Sequence, residues 1–268
     1  MTSSIDKSKV AKHFSASALR YQQVTPVQEM MANALLEKAY AHFTEKDSPK
    51  KILEIGCGTG RLTWPLSQIY PRAEITALDI APAMVEITAA KCPRANVVLC
   101  DAETFLQSNT EYYDLVISNA TIQWFARPVS ALMNARSCLS QSGFLVVASF
   151  GGETFKELRK AFEHAYFSSD MQATEHVVEM IDVSVLQDLF PEANVDEQHV
   201  KSFHASPQEF LKSLRDAGVV NANTKINPLK KQIYKKMCEY YQKQFYLPER
   251  EAVFATYHTF TLAMSSSQ

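Results

Sequence analysis

The 268-residue chain lacks any apolar run near the roughly 18–20 residues of a membrane-spanning helix. Its N-terminus, MTSSIDKSKVAKHF, also lacks the apolar stretch of a secretory signal. The five cysteines (Cys57, Cys92, Cys100, Cys138 and Cys238) include no CxxC pair. Their odd number excludes a complete disulfide framework, and no metal site is expected. The formal net charge is only −2, so no strong basic field announces nucleic acid as a partner. There is no internal repeat, low-complexity tract or dividing linker. With 46% hydrophobic and 21% charged residues, the chain can bury one large core. A single domain over 1–268, reduced and cytoplasmic, with neither membrane nor nucleic acid as partner, is the expectation.

What is present is an alternation. KILEI (51–55), EITALD (74–79), NVVLCD (96–101), YDLVISN (113–119) and GFLVVASF (143–150) are short, nearly wholly apolar runs separated by helix-like stretches, including one at 128–139. Strands buried on both faces imply a parallel sheet covered by helices. The predicted fold is a doubly wound, Rossmann-like α/β core over 50–150. N-terminal helices precede it within 1–46, at roughly 6–18 and 24–44. A mostly helical lid follows over 152–249. Within it, 154–166, 206–218 and 227–245 carry helical spacing, and 195–203 is compatible with a strand. VFATYHTFTLAM (253–264) predicts a last strand within 250–268.

The strongest local signal is LEIGCGTGRL (53–62): a buried strand ending in Glu54, then Gly56, Gly58 and Gly60, then a helix. Glycines there permit a sharp turn and let a ligand approach the backbone. Asp79 ends the second strand nineteen residues after Gly60, where it can accept from two ribose hydroxyls. A dinucleotide enzyme shares those features, but its fingerprint is G-x-G-x-x-G. Here the spacing is G-x-G-x-G, and Glu54 would repel a pyrophosphate while suiting a cationic ligand end.

These pieces, followed by CDAE (100–103) and SNA (118–120), resemble the class I methyltransferase superfamily over residues 50–150. The resemblance implies S-adenosylmethionine as cofactor and S-adenosylhomocysteine as product. Glu54 and Gly56, with Gly58 in the same turn, would hold the methionine part, Asp79 the ribose, and Asp101 and Ala102 the adenine edge. Ile80 would cover an adenine face and Asn119 would contribute near the methionine end. An apolar residue in the position of Ile80 is equally at home in a core.

The fourth strand hands over to SNATIQW (118–124), which lacks the proline pair common in enzymes that methylate amide or adenine nitrogen. A carboxylate, with a pKa near 4, is already nucleophilic at pH 7 and needs no base. It needs only donors or a cation to orient it. At this point the whole chain resembles a narrower family, the malonyl-acyl carrier protein O-methyltransferases of biotin synthesis. The matching pieces are Val10, Phe14, Ala18, Tyr21 and Gln28, SNATIQW, SFGGETFKEL (149–158), SLRDAGVVNAN (213–223) and ATYHTF (255–260). The resemblance implies methyl transfer to the free carboxyl of malonyl on its carrier protein. Tyr21, Gln123, Trp124, Arg215 and His258 are the candidates on the acceptor side. Arg215 would clamp a carboxylate or phosphate, although a solvated cation is the plain alternative, as core packing is for His258. Lys225, Lys230, Lys231, Lys235, Lys236 and Lys243, on a lid segment with one acid, Glu239, would offer a docking surface for an acidic carrier protein. Two readings compete: a methyltransferase of free small acids, like the trans-aconitate enzymes, and a non-catalytic cofactor-binding subunit.

Overall fold

A computed structural model describes residues 5–43, 47–174, 176–219 and 229–266. Expectations falling on 44–46 and 220–228, including part of SLRDAGVVNAN, the start of the 227–245 helix and Lys225, lie outside the described residues. Three helices precede the sheet: α1 (Lys7–Ser17), α2 (Tyr21–Val24) and α3 (Pro26–His42). Two were expected. The break falls at Pro26, which lacks an N–H and disfavours helical backbone in the residue before it. Thr25 accordingly sits at φ −126°, ψ 58°.

The alternation then runs β1 (Lys51–Ile55), α4 (Thr63–Ile69), β2 (Glu74–Asp79), α5 (Pro82–Lys91), β3 (Asn96–Leu99), α6 (Ala102–Ser108), β4 (Tyr113–Asn119), α7 (Pro128–Ser137) and β5 (Leu139–Phe150). After β5 come α8 (Lys156–Phe167), α9 (Val183–Leu189), β6 (Asn194–His204), α10 (Pro207–Asp216), α11 (Lys231–Phe245), β7 (Tyr246–Leu247) and β8 (Ala252–Ser265). The helix predicted over 206–218 is α10: Ser206 Oγ caps it by accepting from Glu209 N at 3.2 Å, and Gly218 follows at φ +73°.

The sheet order is β3-β2-β1-β4-β5-β8-β6, with β7 off this path against β8. Strands β1 to β5 are parallel, and β8 runs antiparallel between β5 and β6. The doubly wound, mostly parallel α/β fold is therefore as predicted. The region after β5 is more than a helical lid, because it contributes the whole edge strand β6. One face of the sheet packs Leu53, Leu78, Val116 and Leu145 with α7; the other packs Ile52, Leu115, Ile117 and Val146 with α3. A third cluster joins Phe162, Phe210, Ile233, Met237 and Tyr241 of the lid to Val253 and Ala255 of β8.

The lid is tied to the sheet by one carboxylate. Strand β5 ends at Phe150, opposite Thr259, and β7 pairs only with Ala252 and Val253, so residues 254–258 of β8 have no strand neighbour on that edge. Buried Glu157 of α8 replaces it, accepting from Thr256 N at 2.9 Å and Thr256 Oγ1 at 2.6 Å, while Phe155 N donates to Thr256 O at 2.7 Å. Glu157→Ala leaves a buried backbone N–H unsatisfied and should lower unfolding stability by about 1–3 kcal/mol. Urea denaturation measures this, and an unchanged midpoint would show that the tether carries no weight.

Candidate active site

The strand order reverses between β1 and β4, the place where open α/β sheets bind ligands outside their strand ends. A cleft of about 890 Å³ lies there. Gly56 begins the turn after β1 at φ +77°, and both Gly56 N and Cys57 N donate to Leu78 O at 2.8 Å. A Cβ on Gly56 would run into the Thr121 side chain, so the turns after β1 and β4 touch at this point. Gly58, at φ +53°, lines the cleft, and a Cβ there would meet nothing within 4 Å.

Three acids border the cleft. Glu54 is 1% exposed and accepts from Thr63 Oγ1 at 2.6 Å. Burial pushes its pKa up to about 8, against the Thr63 hydrogen bond and aided by the nearby Asp79 charge. Asp79 is clamped by Gly58 N on Oδ2 and Ala81 N on Oδ1, each at 2.8 Å. Burial raises its pKa and these N–H groups oppose the rise. Each of its oxygens keeps a further lone pair for a ligand hydroxyl. Asp101 caps α6 through Glu103 N at 3.0 Å and pairs with Lys7 Nζ at 2.5 Å; Lys7 also pairs with Glu103. Ile80 and Ala102 complete the β2 and β3 side.

Among the described residues, two buried polar atoms of this cleft's lining have no partner, Asn119 Oδ1 and Arg61 Nε. Asn119 Nδ2 donates to Gln28 O at 2.9 Å, which ties α3 to the end of β4. Arg61 is held by Thr25 Oγ1 at 2.8 Å and by Glu29 at 3.4 Å.

A second cavity of about 520 Å³ shares Phe14, Tyr21, Gln28, Ala120 and Trp124 with the cleft. Among the described residues no charged side chain lines it. Trp124 ends a 3-10 turn (Ile122–Trp124) and meets Phe14 edge to face, with ring centroids 5.4 Å apart. Gln123 lines the second cavity only, with its amide spent internally: Nε2 donates to Ala120 O at 2.7 Å and Oε1 accepts from Ser149 Oγ at 2.8 Å. Burial pushes the phenols of Tyr21 and Tyr257 up to about 12, so both stay protonated at neutral pH.

Residues 53–145 match the family described as a methyltransferase domain. A malonyl-acyl carrier protein O-methyltransferase of Anoxybacillus flavithermus is 34% identical over 95% of both chains. One of Bacillus anthracis is 32% identical over the same shares. The chain belongs to the malonyl-acyl carrier protein O-methyltransferase family. The YcgJ protein of Bacillus subtilis shares the fold, with a TM-score of 0.58 at 12% identity over 88% of this chain and 99% of its own.

The candidate cofactor residues of this family member, Glu54, Gly56, Gly58, Asp79, Ile80, Asp101, Ala102 and Asn119, all line the first cleft. Tyr21 and Trp124 line both cavities. Arg215 and His258 line neither. Arg215 is exposed on α10. His258 is buried with its Nε2 against Glu197 Oε2 at 2.7 Å, Nδ1 accepting from Glu153 N at 3.3 Å, and its ring stacked on His199. Its neighbour Tyr257 faces the second cavity instead, as strand alternation requires. On α11, Lys231, Lys235 and Lys243 are exposed, as is Lys230 at its N-cap; Lys235 pairs with Glu239 at 3.7 Å, while Lys236 donates to Ser168 O at 2.6 Å. Lys7 and Arg61 were not among the sequence candidates, and a lone basic residue gives no pattern by which to find them.

A carboxyl raised from an ordinary 4.5 to about 8 holds its proton in the folded chain while the unfolded chain ionises. Glu54 therefore takes stability away as pH rises from about 4.5 to 8. Across pH 5 to 8 the wild type should lose thermal stability more steeply than Glu54→Gln. Parallel melting curves in that window would contradict the assignment.

Proposed function

We propose that the chain transfers a methyl group from S-adenosylmethionine to the free carboxylate of malonyl-acyl carrier protein, giving the methyl ester that primes pimeloyl synthesis for biotin. The observation that carries this reading is the uncharged second cavity opening onto an acid-rich cleft. Support for the cofactor comes from the cleft itself. The unpartnered Asn119 Oδ1 and Arg61 Nε offer an acceptor and a donor suited to the ammonium and carboxylate of an amino acid. Glu54 adds a group that ionises beside a cation, Asp79 suits ribose hydroxyls, and Gly58 leaves room over the turn. When bound, S-adenosylmethionine supplies a methyl group on a cationic sulfur.

The chain's own task is to position the acceptor and exclude water. No base is needed for a carboxylate. Tyr21 and Tyr257 stay neutral phenols that carry a donor hydrogen. A fixed cation in the second cavity would stabilise the ground-state anion more than the transition state, in which charge is being lost, and would slow transfer. Gln123 holds Ala120, and Trp124 walls the junction of the two cavities. The exposed lysines of α11 support docking of an acidic carrier protein by steering its approach. Five cysteines, all free, support a reducing, cytoplasmic setting.

With labelled S-adenosylmethionine, malonyl-carrier protein should be turned over in preference to malonyl-CoA and to trans-aconitate; activity on free acids alone would overturn the reading. Reversal of Lys230, Lys231 and Lys235 to Glu should raise KM for the carrier-protein substrate while sparing the CoA thioester. Equal losses on both would assign those lysines a structural role. Asp79→Ala should weaken cofactor binding by about 1.5–3 kcal/mol, the range for hydrogen bonds to a charged acceptor, as measured by calorimetry.

A further inference from the structure

Seven side chains with a polar atom line the second cavity, Tyr21, Gln28, Gln123, Trp124, Thr154, Ser213 and Tyr257. Three of them are already committed. Both ends of the Gln123 amide are bonded internally. The Thr154 hydroxyl donates to His258 O at 2.9 Å and accepts from His258 N at 3.1 Å. Ser213 Oγ donates to Phe210 O at 2.7 Å. Gln28 differs. Its backbone carbonyl receives Asn119 Nδ2, but its side-chain amide makes no hydrogen bond to a described residue, although Gln28 is only 6% exposed and lines both cavities. The Tyr21 and Tyr257 hydroxyls and the Trp124 indole N–H likewise make no hydrogen bond to a described residue; of these three only Tyr257 lines the second cavity alone, its ring edge to face on Phe155 at 4.8 Å and tilted against Phe150 at 5.8 Å.

We propose that the Gln28 side-chain amide and the Tyr257 hydroxyl are the donors that orient the acceptor carboxylate, and that this uncharged pair restricts the acceptor to an acyl group bearing one free carboxylate. The inference rests on the carboxyl-methylation reading and adds to it the groups that hold the acid. Gln28 comes from α3 and Tyr257 from β8, so the two donors are fixed by separate elements. Around them lie Phe14, Phe150, Phe155 and Met180, and the other donors, Tyr21 and Trp124, are neutral, so no described cation meets a second ionised group. A tricarboxylate would have to bury further charge without a counter-ion, and that cost is steep. One carboxylate, by contrast, is matched by neutral donors whose hydrogen bonds weaken as its charge disappears. Discrimination then comes from the unpaired charge that the wrong substrate would bury, one of the two routes to specificity. Gln28 also joins the two halves of the site. The same residue holds Asn119 by its carbonyl and faces the acceptor with its side chain.

The test uses Gln28→Leu, Gln28→Glu and Tyr257→Phe in the full-length chain. Binding of malonyl-carrier protein and of its methyl ester is measured in the presence of S-adenosylhomocysteine. Gln28→Leu and Tyr257→Phe should each weaken the acid on the order of tenfold, the equivalent of one hydrogen bond of about 1.4 kcal/mol. Both should leave the ester within about twofold, and Gln28→Glu should weaken the acid more than Gln28→Leu does. Calorimetric affinity for S-adenosylhomocysteine should stay unchanged in Tyr257→Phe, since Tyr257 lines the second cavity only, and this reports an intact cleft. Equal loss of acid and ester, or acid binding unchanged in both neutral variants, overturns the proposal. A wild-type protein that binds neither form overturns the carboxyl-methylation reading itself, a result distinct from failure of the donor pair.

Discussion

Two turns leave the sheet at the point where its strand order reverses, and they touch because Gly56 has no side chain. The Thr121 side chain occupies the space a Cβ would need. That contact sets the path of the chain after β4. Ala120, one residue earlier, is forced to φ +51°, a left-handed conformation that costs a non-glycine residue roughly 1–2 kcal/mol. The strain persists because both ends of Ala120 are held: its N–H donates to Ala148 O at 2.8 Å, and its carbonyl receives Gln123 Nε2. The kink turns Trp124 inward to divide one cavity from the other. A glycine in one loop thus determines a wall built by another.

The two cavities divide the electrostatic work. The first gathers Glu54, Asp79 and Asp101, with Lys7 and Arg61 at its rim, so it can match a zwitterionic, positively charged ligand. The second gathers aromatic rings, hydroxyls and amides without a formal charge. In a reaction between a cationic donor and an anionic acceptor both charges vanish, and a low-dielectric chamber favours their disappearance. The buried, proton-holding Glu54 is the complement of this arrangement: it ionises when a cation arrives, so the cost of burying its charge is deferred until a partner is present.

The sheet and the first cleft were legible in the sequence because each rests on a local rule. Apolar runs of strand length, a G-x-G-x-G turn and acids at strand ends are patterns that neighbouring residues express together. The acceptor side was less legible, for two physical reasons. Which of Tyr257 and His258 faces inward depends on strand parity and register; the last strand pairs with β6 from Val253 to Ala263, so a one-residue shift would reverse every side chain. Chemistry alone favoured the imidazole, and geometry favoured the phenol. Arg215 was chosen because an acid substrate invites a cation, and the cavity has none among its described lining. Lys7, Arg61 and the amide of Gln28 act only after the N-terminal helices have docked, a tertiary event that leaves no periodic trace. Short α9 and β7 left no strong pattern either.

Of those N-terminal helices, α3 is packed into the core through Met31, Ala32, Leu35 and Ala39, while the cover over the site is held largely by polar contacts. Lys7 reaches Asp101 and Glu103, Gln22 Nε2 donates to Thr59 Oγ1 at 2.9 Å, Arg61 reaches Thr25 and Glu29, and Gln28 O receives Asn119. Partly exposed ion pairs are individually weak, so a cover held this way can open at modest cost, whereas one packed like the lid cluster on β8 could not. Small, separable contacts suit a cover that must admit one ligand deep in a cleft and release another. The lid behind β8 has the opposite construction, with fully buried Phe210, Ile233, Met237 and Tyr241 and the Glu157 tether. Mobility is therefore expected on the α1 and α2 side, and rigidity on the lid side and in α3, which is packed into the core beneath the sheet. Gln28, on core-packed α3, and Tyr257, on β8, both stand on the fixed side, so they stay in register while α1 and α2 open and close.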